Sequence, residues 1–259
     1  MVKEDTAVTT LKQVVHCASP VVVQDIWRRD ASLRSSKEKH LQSRGMEQVR
    51  QESSFSVVSA AGRLRSALPF WRDILKADKY ILSVLDHGYF IPFVAMPGAF
   101  RARNNLSARK EPVFVRQAIA DLLLKGYAVR VKGRPFCTNP LTVAHGHKLR
   151  LVLDLRHVNQ FVQYTKFVYE DWNLLSQVLQ KDDFLISFDY VAGYHHNSIA
   201  AEHQQFLGFA FRDEDGTKKF YHFTHLPFGL FSASHIFTML NKPIIRHWRG
   251  KSFPLFHLH

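Results

Sequence analysis

Apolar side chains recur at intervals of three and four residues in four stretches of the chain, the spacing that places them on one face of a helix. Gly88 and Gly126 follow the first two stretches and are typical helix ends, and Pro112 suits the first position of the second helix. Asp171 and Ser232 precede the other two stretches as predicted N-caps. The predicted helices therefore cover residues 78–87, 111–125, 172–180 and 232–244.

Short alternating or continuous apolar runs predict strands between these helices. The predicted strands are residues 127–131, 141–144, 148–155, 184–188, 205–211 and 220–223. The last two flank an acidic turn at residues 212–216 and should form a hairpin. Alternation in the third strand places Lys148, Arg150, Val152 and Asp154 on one face and four leucines on the other.

The pattern predicts an α+β fold, with an antiparallel sheet and flanking helices, in residues 61–259. The chain has 259 residues, of which 46% are hydrophobic, so it is long enough to bury a substantial core. Residues 1–60 are polar, basic and poor in apolar periodicity, and we expect this segment to be poorly ordered.

The formal net charge is +13, and its distribution is uneven. Residues 101–150 contain eleven Lys or Arg and two Asp or Glu, whereas residues 151–259 are neutral. A basic block of this kind favours a polyanionic partner, nucleic acid before membrane, because neutralised phosphates release counterions. The alternative is a solvated basic face without a partner.

Cysteine and histidine usage favours a reducing compartment and argues against a zinc site. Cys17 and Cys137 lie far apart, and the fifteen histidines have no cysteine partners at metal-ligand spacing. The first 25 residues lack the apolar core of a signal peptide, and no run is long enough to span a membrane. We therefore expect a cytoplasmic or nuclear protein that is neither secreted nor membrane-bound.

Two pairs of residues suggest chemistry before any family is considered. The apolar run 184–188 ends in Asp189, and Tyr194 follows five residues later, so a carboxylate and an aromatic ring could share a cleft. Lys148 and Arg150 point the same way from one strand and could grip a polyphosphate. The alternatives are a turn-forming Asp189 and a solvent-facing strand edge.

Four segments together resemble the conserved motifs of retroelement reverse transcriptases in order and spacing. They are residues 148–159, 188–196, 206–209 and 226–234, the last containing Leu-Pro-Phe-Gly. Residues 88–93, 167–170 and 236–249 look most like the DIRS, or tyrosine-recombinase, type of retrotransposon. The resemblance extends from about residue 60 to the end of the sequence, and it implies the fingers and palm of a polymerase right hand.

The resemblance implies a two-metal polymerase site around Asp189. This residue matches the palm carboxylate that ligates both Mg²⁺ (or Mn²⁺) ions, with the backbone carbonyl of Tyr190 nearby. Tyr194 matches the aromatic residue that excludes a ribose 2′-hydroxyl, although palm packing is its alternative role. His195 and His196 also match the pattern, and for them we expect packing rather than catalysis.

The resemblance also implies a set of substrate contacts. Lys148 and Arg150 match the fingers cations that contact the incoming deoxynucleoside triphosphate. Phe228 and Gly229 match the loop that positions the template–nucleotide pair. Some reverse transcriptases have Gln at the position of Phe228, so a hydrogen-bonding role does not carry over. An RNA or DNA template-primer is the implied partner, and no feature of the sequence indicates an oligomeric state.

One family motif has no counterpart here. The Tyr-x-Asp-Asp hairpin that completes the metal site would follow Trp248, but residues 249–259 contain no Asp or Glu. We therefore expect a domain truncated before this motif, with an incomplete palm, no thumb, and an active site that is incomplete when the chain stands alone. The alternative function is a non-catalytic nucleic-acid-binding or interaction protein that uses the basic fingers surface.

Overall fold

The computed structural model describes residues 59–168, 170, 177 and 190–251, and the backbone alone of residues 15–17, 188 and 189. The strands are β1 (Val15–Cys17), β2 (Phe100–Arg101), β3 (Ala128–Val131), β4 (Cys137–Asn139), β5 (Leu141–Ala144), β6 (Arg150–Leu153), β7 (Phe188–Tyr190), β8 (Gly208–Arg212) and β9 (Lys218–Phe223). The helices are α1 (Arg63–Ser66), α2 (Leu68–Asp73), α3 (Lys79–His87), α4 (Leu106–Lys110), α5 (Pro112–Leu124), α6 (Arg156–Asn159), α7 (Ala201–Gln204) and α8 (Ala233–Arg249), with 3₁₀ turns at Gly193–His196 and Gln205–Leu207.

The fold is mixed α+β, and its largest sheet has five strands in the order β2-β4-β8-β9-β3. The predicted β8–β9 hairpin is confirmed, with Gly208 opposite His222 and Arg212 opposite Lys218. Strand β3 joins β9 antiparallel, but β2 and β4 add in parallel on the other side. The sheet is therefore mixed, and the prediction of an antiparallel sheet holds for only one part of it.

Strand β4 is one of the elements that the sequence did not predict. Its residues lie between Pro135 and Pro140, a composition typical of a bend. All three are buried, and the Asn139 side-chain amide donates to the carbonyls of Phe206 and Gly208 at 2.9 and 3.0 Å. These bonds stabilise a buried strand that local propensity alone would not favour.

Strands β5 and β6 form a separate two-stranded antiparallel sheet. Asn105, which precedes helix α4, is hydrogen-bonded to this sheet through its backbone and its side chain. The Asn105 backbone N–H donates to the Leu141 carbonyl at 3.0 Å. Its side-chain amide donates to Thr142 Oγ1 at 2.6 Å and to Asp154 Oδ2 at 3.1 Å. Strand β6 is shorter than the predicted 148–155, because the polar residues before Arg150 form the turn of this hairpin.

Three of the four predicted helices are confirmed as α3, α5 and α8. Gly88 ends α3 with φ +89°, and a Cβ there would lie 2.7 Å from the backbone nitrogen of Ala200. Glycine is therefore required both for the helix end and for the close approach of the chain. Ser232 occupies the N-cap position of α8 as predicted, but its side chain makes no capping hydrogen bond.

Several predictions fall outside the described residues. They are the helix at 172–180 (apart from residue 177), the strand at 184–187, and the poorly ordered segment at 1–60 apart from residues 15–17 and 59–60. Val15–Cys17 pairs in parallel with β7, with His16 opposite Asp189. Along the described part of the chain, no helix has the length and apolar character needed to cross a membrane.

Buried histidines stand beside the core at the end of the five-stranded sheet. His195 is buried, stacks on Tyr127 at 4.5 Å between ring centroids, and donates from Nδ1–H to the Leu226 carbonyl at 3.1 Å. Burial lowers the pKa of His195 to about 4 and that of His225 also to about 4, from an ordinary value of 6.5. Both rings are therefore neutral in the folded protein at pH 7.

We predict that acidification destabilises the protein between pH 6.5 and pH 4. Histidine binds protons more readily in the unfolded chain, so the free energy of unfolding is highest above pH 6.5 and falls as the pH drops towards 4. The decrease for the His195 and His225 pair should be on the order of a few kcal/mol. Urea unfolding at pH 7.5, 6 and 5 measures it.

Replacing the exposed His145 and His147 with Gln provides the control, because these side chains lie in solvent. The variant should lose stability with falling pH as the parent does. An unfolding midpoint that stays constant from pH 7.5 to pH 5 in the parent would contradict the prediction.

Candidate active site

Strand β7 contains Asp189 and Tyr190. For Asp189 the structure describes the backbone only. The Tyr190 hydroxyl donates to Asn241 Oδ1 on α8 at 2.9 Å, and its ring meets Phe237 edge-to-face at 5.6 Å. The backbone that carries Asp189 is thereby held against helix α8.

The turn after β7 places a residue other than glycine in the left-handed conformation. The left-handed conformation falls on Ala192, with φ +55°, and not on Gly193. Glycine is needed at 193 for space, because a Cβ there would lie 3.1 Å from the Phe237 ring and 3.3 Å from Tyr190 Cβ. The turn therefore brings the backbone against the aromatic face of α8.

Tyr194 is held by contacts on three sides. Its hydroxyl shares a hydrogen bond of 2.8 Å with Ser234 Oγ, and its ring lies 5.1 Å from that of Phe228 and 5.3 Å from that of Phe237. The side chain is half-buried. The structure therefore brings together two of the predicted site residues, Tyr194 and Phe228, and fixes the orientation of the tyrosine.

The loop of residues 226–232 is pressed onto strand β6 through Gly229. With φ +101°, Gly229 lies so close that a Cβ would stand 2.5 Å from the Leu153 carbonyl oxygen. Asn159 closes the contact from the other side, since its Nδ2 donates to the Gly229 carbonyl at 2.8 Å and its Oδ1 accepts from the Phe231 N–H at 2.9 Å. The loop therefore has a single tightly defined position on the strand.

Lys148 and Arg150 are both exposed at the turn end of the β5–β6 hairpin, and Arg150 is paired with Ala144. Leu153, which contacts Gly229, lies three residues further along the same strand. At about 3.3 Å per residue, the Arg150 backbone is about 10 Å along the strand from that contact. The two cations thus lie at the turn end of the β5–β6 hairpin, whose other end contacts the loop of Phe228 and Gly229.

Asp154 follows the last residue of β6, at the end of the hairpin that contacts the loop, and its carboxylate is fully engaged. Arg156 Nη2 lies 2.6 Å from Asp154 Oδ2, and Asn105 donates to the same oxygen. Hydrogen bonding from Arg156, and then from Asn105, lowers the pKa of Asp154 to about 2. This acid is therefore a structural anchor of the hairpin and not a free ligand.

A cavity of about 100 Å³ opens beside the same loop. Phe231 and Tyr164 stand at its edge with their ring centroids 5.5 Å apart. Both rings are exposed, and so is that of Phe228, at 50%. The remaining lining residues are Gln163, Thr165, Phe167, Ser232 and His235.

The predicted magnesium site involves a side chain that the structure does not describe. Among the described side chains, no group of three or more His, Cys, Asp and Glu residues is arranged to hold a metal ion. The Asp189 carboxylate is not among them, so Mg²⁺ binding by Asp189 and the Tyr190 carbonyl stays a prediction.

Sequence reasoning missed the residues that support the site. Asn159 stands at the end of the 148–159 motif, but nothing local shows that its amide binds a loop 70 residues away. Ser234 and Asn241 lie on the polar side of a helix whose pattern predicts only its apolar face. His195 and His196 are buried, as expected for packing residues.

No protein-family model matches the chain, and no curated protein matches it. Among solved structures, the chain is similar to the foamy viral protease–reverse transcriptase dRH, determined in complex with double-stranded DNA. The match covers 70% of this chain and 35% of the viral one, with 17% identity and a TM-score of 0.47. This chain thus spans about a third of the viral protein's length, and at this TM-score we base neither fold nor function on the likeness.

We predict that Gly229→Ala destabilises the protein by about 3 kcal/mol or more, because the added methyl group meets backbone and φ is positive. Gly216→Ala is the matched control, since Gly216 also has positive φ but nothing lies within 4 Å of an added Cβ. It should cost only about 1 kcal/mol. Urea unfolding of both variants makes the comparison, and equal destabilisation would contradict the close approach of Gly229 to Leu153.

Proposed function

We propose that the chain is the fingers and palm portion of a retrotransposon reverse transcriptase of the DIRS type, related to RNA-directed DNA polymerases. One observation carries the proposal. Tyr194, on the turn after the Asp189 strand, packs on Phe228, and the Phe228–Gly229 loop is bound to the strand that carries Arg150. These contacts support the proposal, because the resemblance assigns all three segments to the binding site of one nucleotide.

The Asp189 carboxylate and the Tyr190 carbonyl would hold Mg²⁺ or Mn²⁺, hard cations that prefer oxygen ligands. When bound, such ions stabilise the attacking and leaving oxygens of phosphoryl transfer. The protein would position Asp189, because the contacts of Tyr190 with Asn241 and Phe237 hold strand β7 against helix α8.

Lys148 and Arg150 would neutralise the triphosphate of the incoming nucleotide. Both are exposed, so their side chains are free to turn towards a ligand. Charge neutralisation of a transferring phosphoryl group is a large electrostatic term in catalysis. The hairpin that carries them is anchored by Asp154 and Asn105, which limits how far the cations can move.

Tyr194 would select deoxynucleotides by excluding a ribose 2′-hydroxyl. Its hydroxyl is bound to Ser234 and two rings pack against it, so the aromatic ring cannot swing away from a bulkier sugar. A rigid ring rejects an added hydroxyl group better than a mobile one. The same contacts are compatible with a packing role, and nucleotide binding by Tyr194 variants distinguishes the two roles.

By the resemblance, Asp189 would be the one palm carboxylate among the 259 residues. In the β8–β9 turn, Asp213 and Glu214 form ion pairs with Lys219 and Arg116, and Asp215 accepts a hydrogen bond from the Thr217 N–H. Glu202 lies on the short helix α7. We propose that the second metal-binding carboxylate is not provided by these residues, and that the chain alone binds substrates without turning them over.

The second candidate function is nucleic-acid binding without catalysis. The exposed cations of residues 101–150 favour it, because a basic surface is sufficient for binding to phosphates. This function requires neither Asp189 nor Tyr194.

We predict no primer extension by the 259-residue chain on an RNA template with deoxynucleoside triphosphates and Mg²⁺ or Mn²⁺. The parent, Asp189→Ala and the control Glu202→Ala should all give background incorporation. Incorporation by the parent and by Glu202→Ala that disappears in Asp189→Ala would contradict the prediction and show a working site.

We also predict that the chain, bound to template-primer with Mg²⁺ present, prefers deoxynucleoside to ribonucleoside triphosphates. Tyr194→Ala should reduce this preference by on the order of tenfold, since the ring that meets the 2′-hydroxyl is removed. Tyr194→Phe retains the ring and should keep the preference. Equilibrium nucleotide binding measures the ratio, and an unchanged ratio in Tyr194→Ala would assign the residue to packing.

A further inference from the structure

The five-stranded sheet has one face in the core and one face that is open near the β8–β9 turn. Phe209, Tyr221 and Phe223 are buried and share one face of the sheet, because Phe209 is opposite Tyr221 in the hairpin and Phe223 lies two residues further along β9. Successive residues of a strand point to opposite faces. The residues between them therefore lie on the other face.

This opposite face carries two cations directly across from each other. Arg212 and Lys218 are paired in register in the β8–β9 hairpin, so their side chains leave the sheet on the same side. Both are exposed. Like charges opposite each other destabilise a sheet, so this arrangement has a cost that a bound anion would remove.

A third cation is brought to the same place by the segment before β4. The Arg134 guanidinium lies 5.4 Å from the centroid of the Phe220 ring, and Lys218 Nζ lies 5.7 Å from it. The neighbouring Pro135 is packed on Gly208, where an added Cβ would lie 2.2 Å from the proline Cβ. The backbone beside Arg134 is thus fixed against this face of the sheet.

The acids of the hairpin turn are engaged elsewhere. Asp213 pairs with Lys219, which is opposite Phe211 and so on the core side of the sheet, and Glu214 pairs with Arg116 of α5. Within the described residues, no ion pair joins Arg134, Arg212 or Lys218 to a carboxylate. The turn therefore directs its acids to Lys219 and Arg116, while the Arg212 guanidinium donates to the Gly216 carbonyl at 2.6 Å. A carbonyl carries no net charge, so this bond does not neutralise the positive charge of Arg212.

We propose that Arg134, Arg212 and Lys218 form a binding site for the phosphates of a single-stranded nucleic acid. Arg134 and Lys218 lie beside one partly buried ring, and Arg212 stands across the hairpin from Lys218. Such a surface can follow a polyanion without reading bases. The site lies on the five-stranded sheet, whereas Lys148 and Arg150 lie on the separate β5–β6 hairpin. The inference deepens the proposed nucleic-acid binding and rests on it, but it does not require catalysis.

The test is the salt dependence of binding of a 20-nucleotide single strand to the 259-residue chain. Removal of one phosphate-binding cation reduces the slope of log affinity against log salt by about 0.7, so Arg134→Gln/Lys218→Gln should reduce it by about 1.4. Lys76→Gln/Lys79→Gln removes two exposed cations from the region of α3 and should leave the slope unchanged. Arg134→Lys/Lys218→Arg should restore it.

Thermal unfolding separates binding from a structural role. At low salt, Arg134→Gln/Lys218→Gln should unfold within a few degrees of the parent, because relief of a like-charge pair offsets the loss of two cation contacts with the Phe220 ring. A slope equal to that of the parent, a slope reduced equally by the control variant, or loss of binding together with thermal stability would overturn the site. Binding to phosphatidylserine vesicles but not to the oligonucleotide would also overturn it.

The two proposals fail in different ways. If the parent binds no single strand at all, nucleic-acid binding fails and this site fails with it. If the parent binds with a steep salt slope that the Arg134 and Lys218 substitutions leave unchanged, only the site on the sheet is rejected.

Discussion

The close approach of Gly229 to the Leu153 carbonyl determines how the parts of the candidate site are placed. It joins the β5–β6 hairpin to the loop that leads into α8, and it leaves no room for a side chain at residue 229. Asn159 reinforces this approach with hydrogen bonds to both sides of the loop. Phe228 is therefore held outward beside Tyr194. The hairpin that carries Lys148 and Arg150 is held against the same loop.

A second support comes from the layer of rings beneath the same loop. Tyr127 stacks on His195, and the His195 ring donates to the carbonyl of Leu226, the first residue of the loop. Because the ring is buried, it stays neutral and can keep this hydrogen bond without the cost of burying a charge. Protonation of the buried ring costs free energy, so acid destabilises the fold that holds the loop in place.

Two small surfaces carry the cations to which the proposals assign phosphate binding. One surface is the exposed turn of the β5–β6 hairpin with Lys148 and Arg150, and the other is the open face around Phe220. The acids that could have neutralised the second surface are held on the side of α5. A strand of nucleic acid would meet each surface through its phosphates, whichever of the two proposed functions the protein performs.

The sequence by itself determined the helices α3, α5 and α8, the β8–β9 hairpin and the face of β6 that carries Arg150, because each depends on periodicity or on residues close in the chain. It also identified the residues, Asp189 and Tyr194 among them, on which the polymerase proposal rests. Only the tertiary structure decided the parallel placement of β4, the Asn159 bonds to a loop 70 residues away, and the packing of Tyr194 on Phe228. Those features depend on contacts between segments that are distant in the chain. The residue pattern of a single segment does not show which distant segment it will contact. These features therefore form only when the folded core brings the segments together.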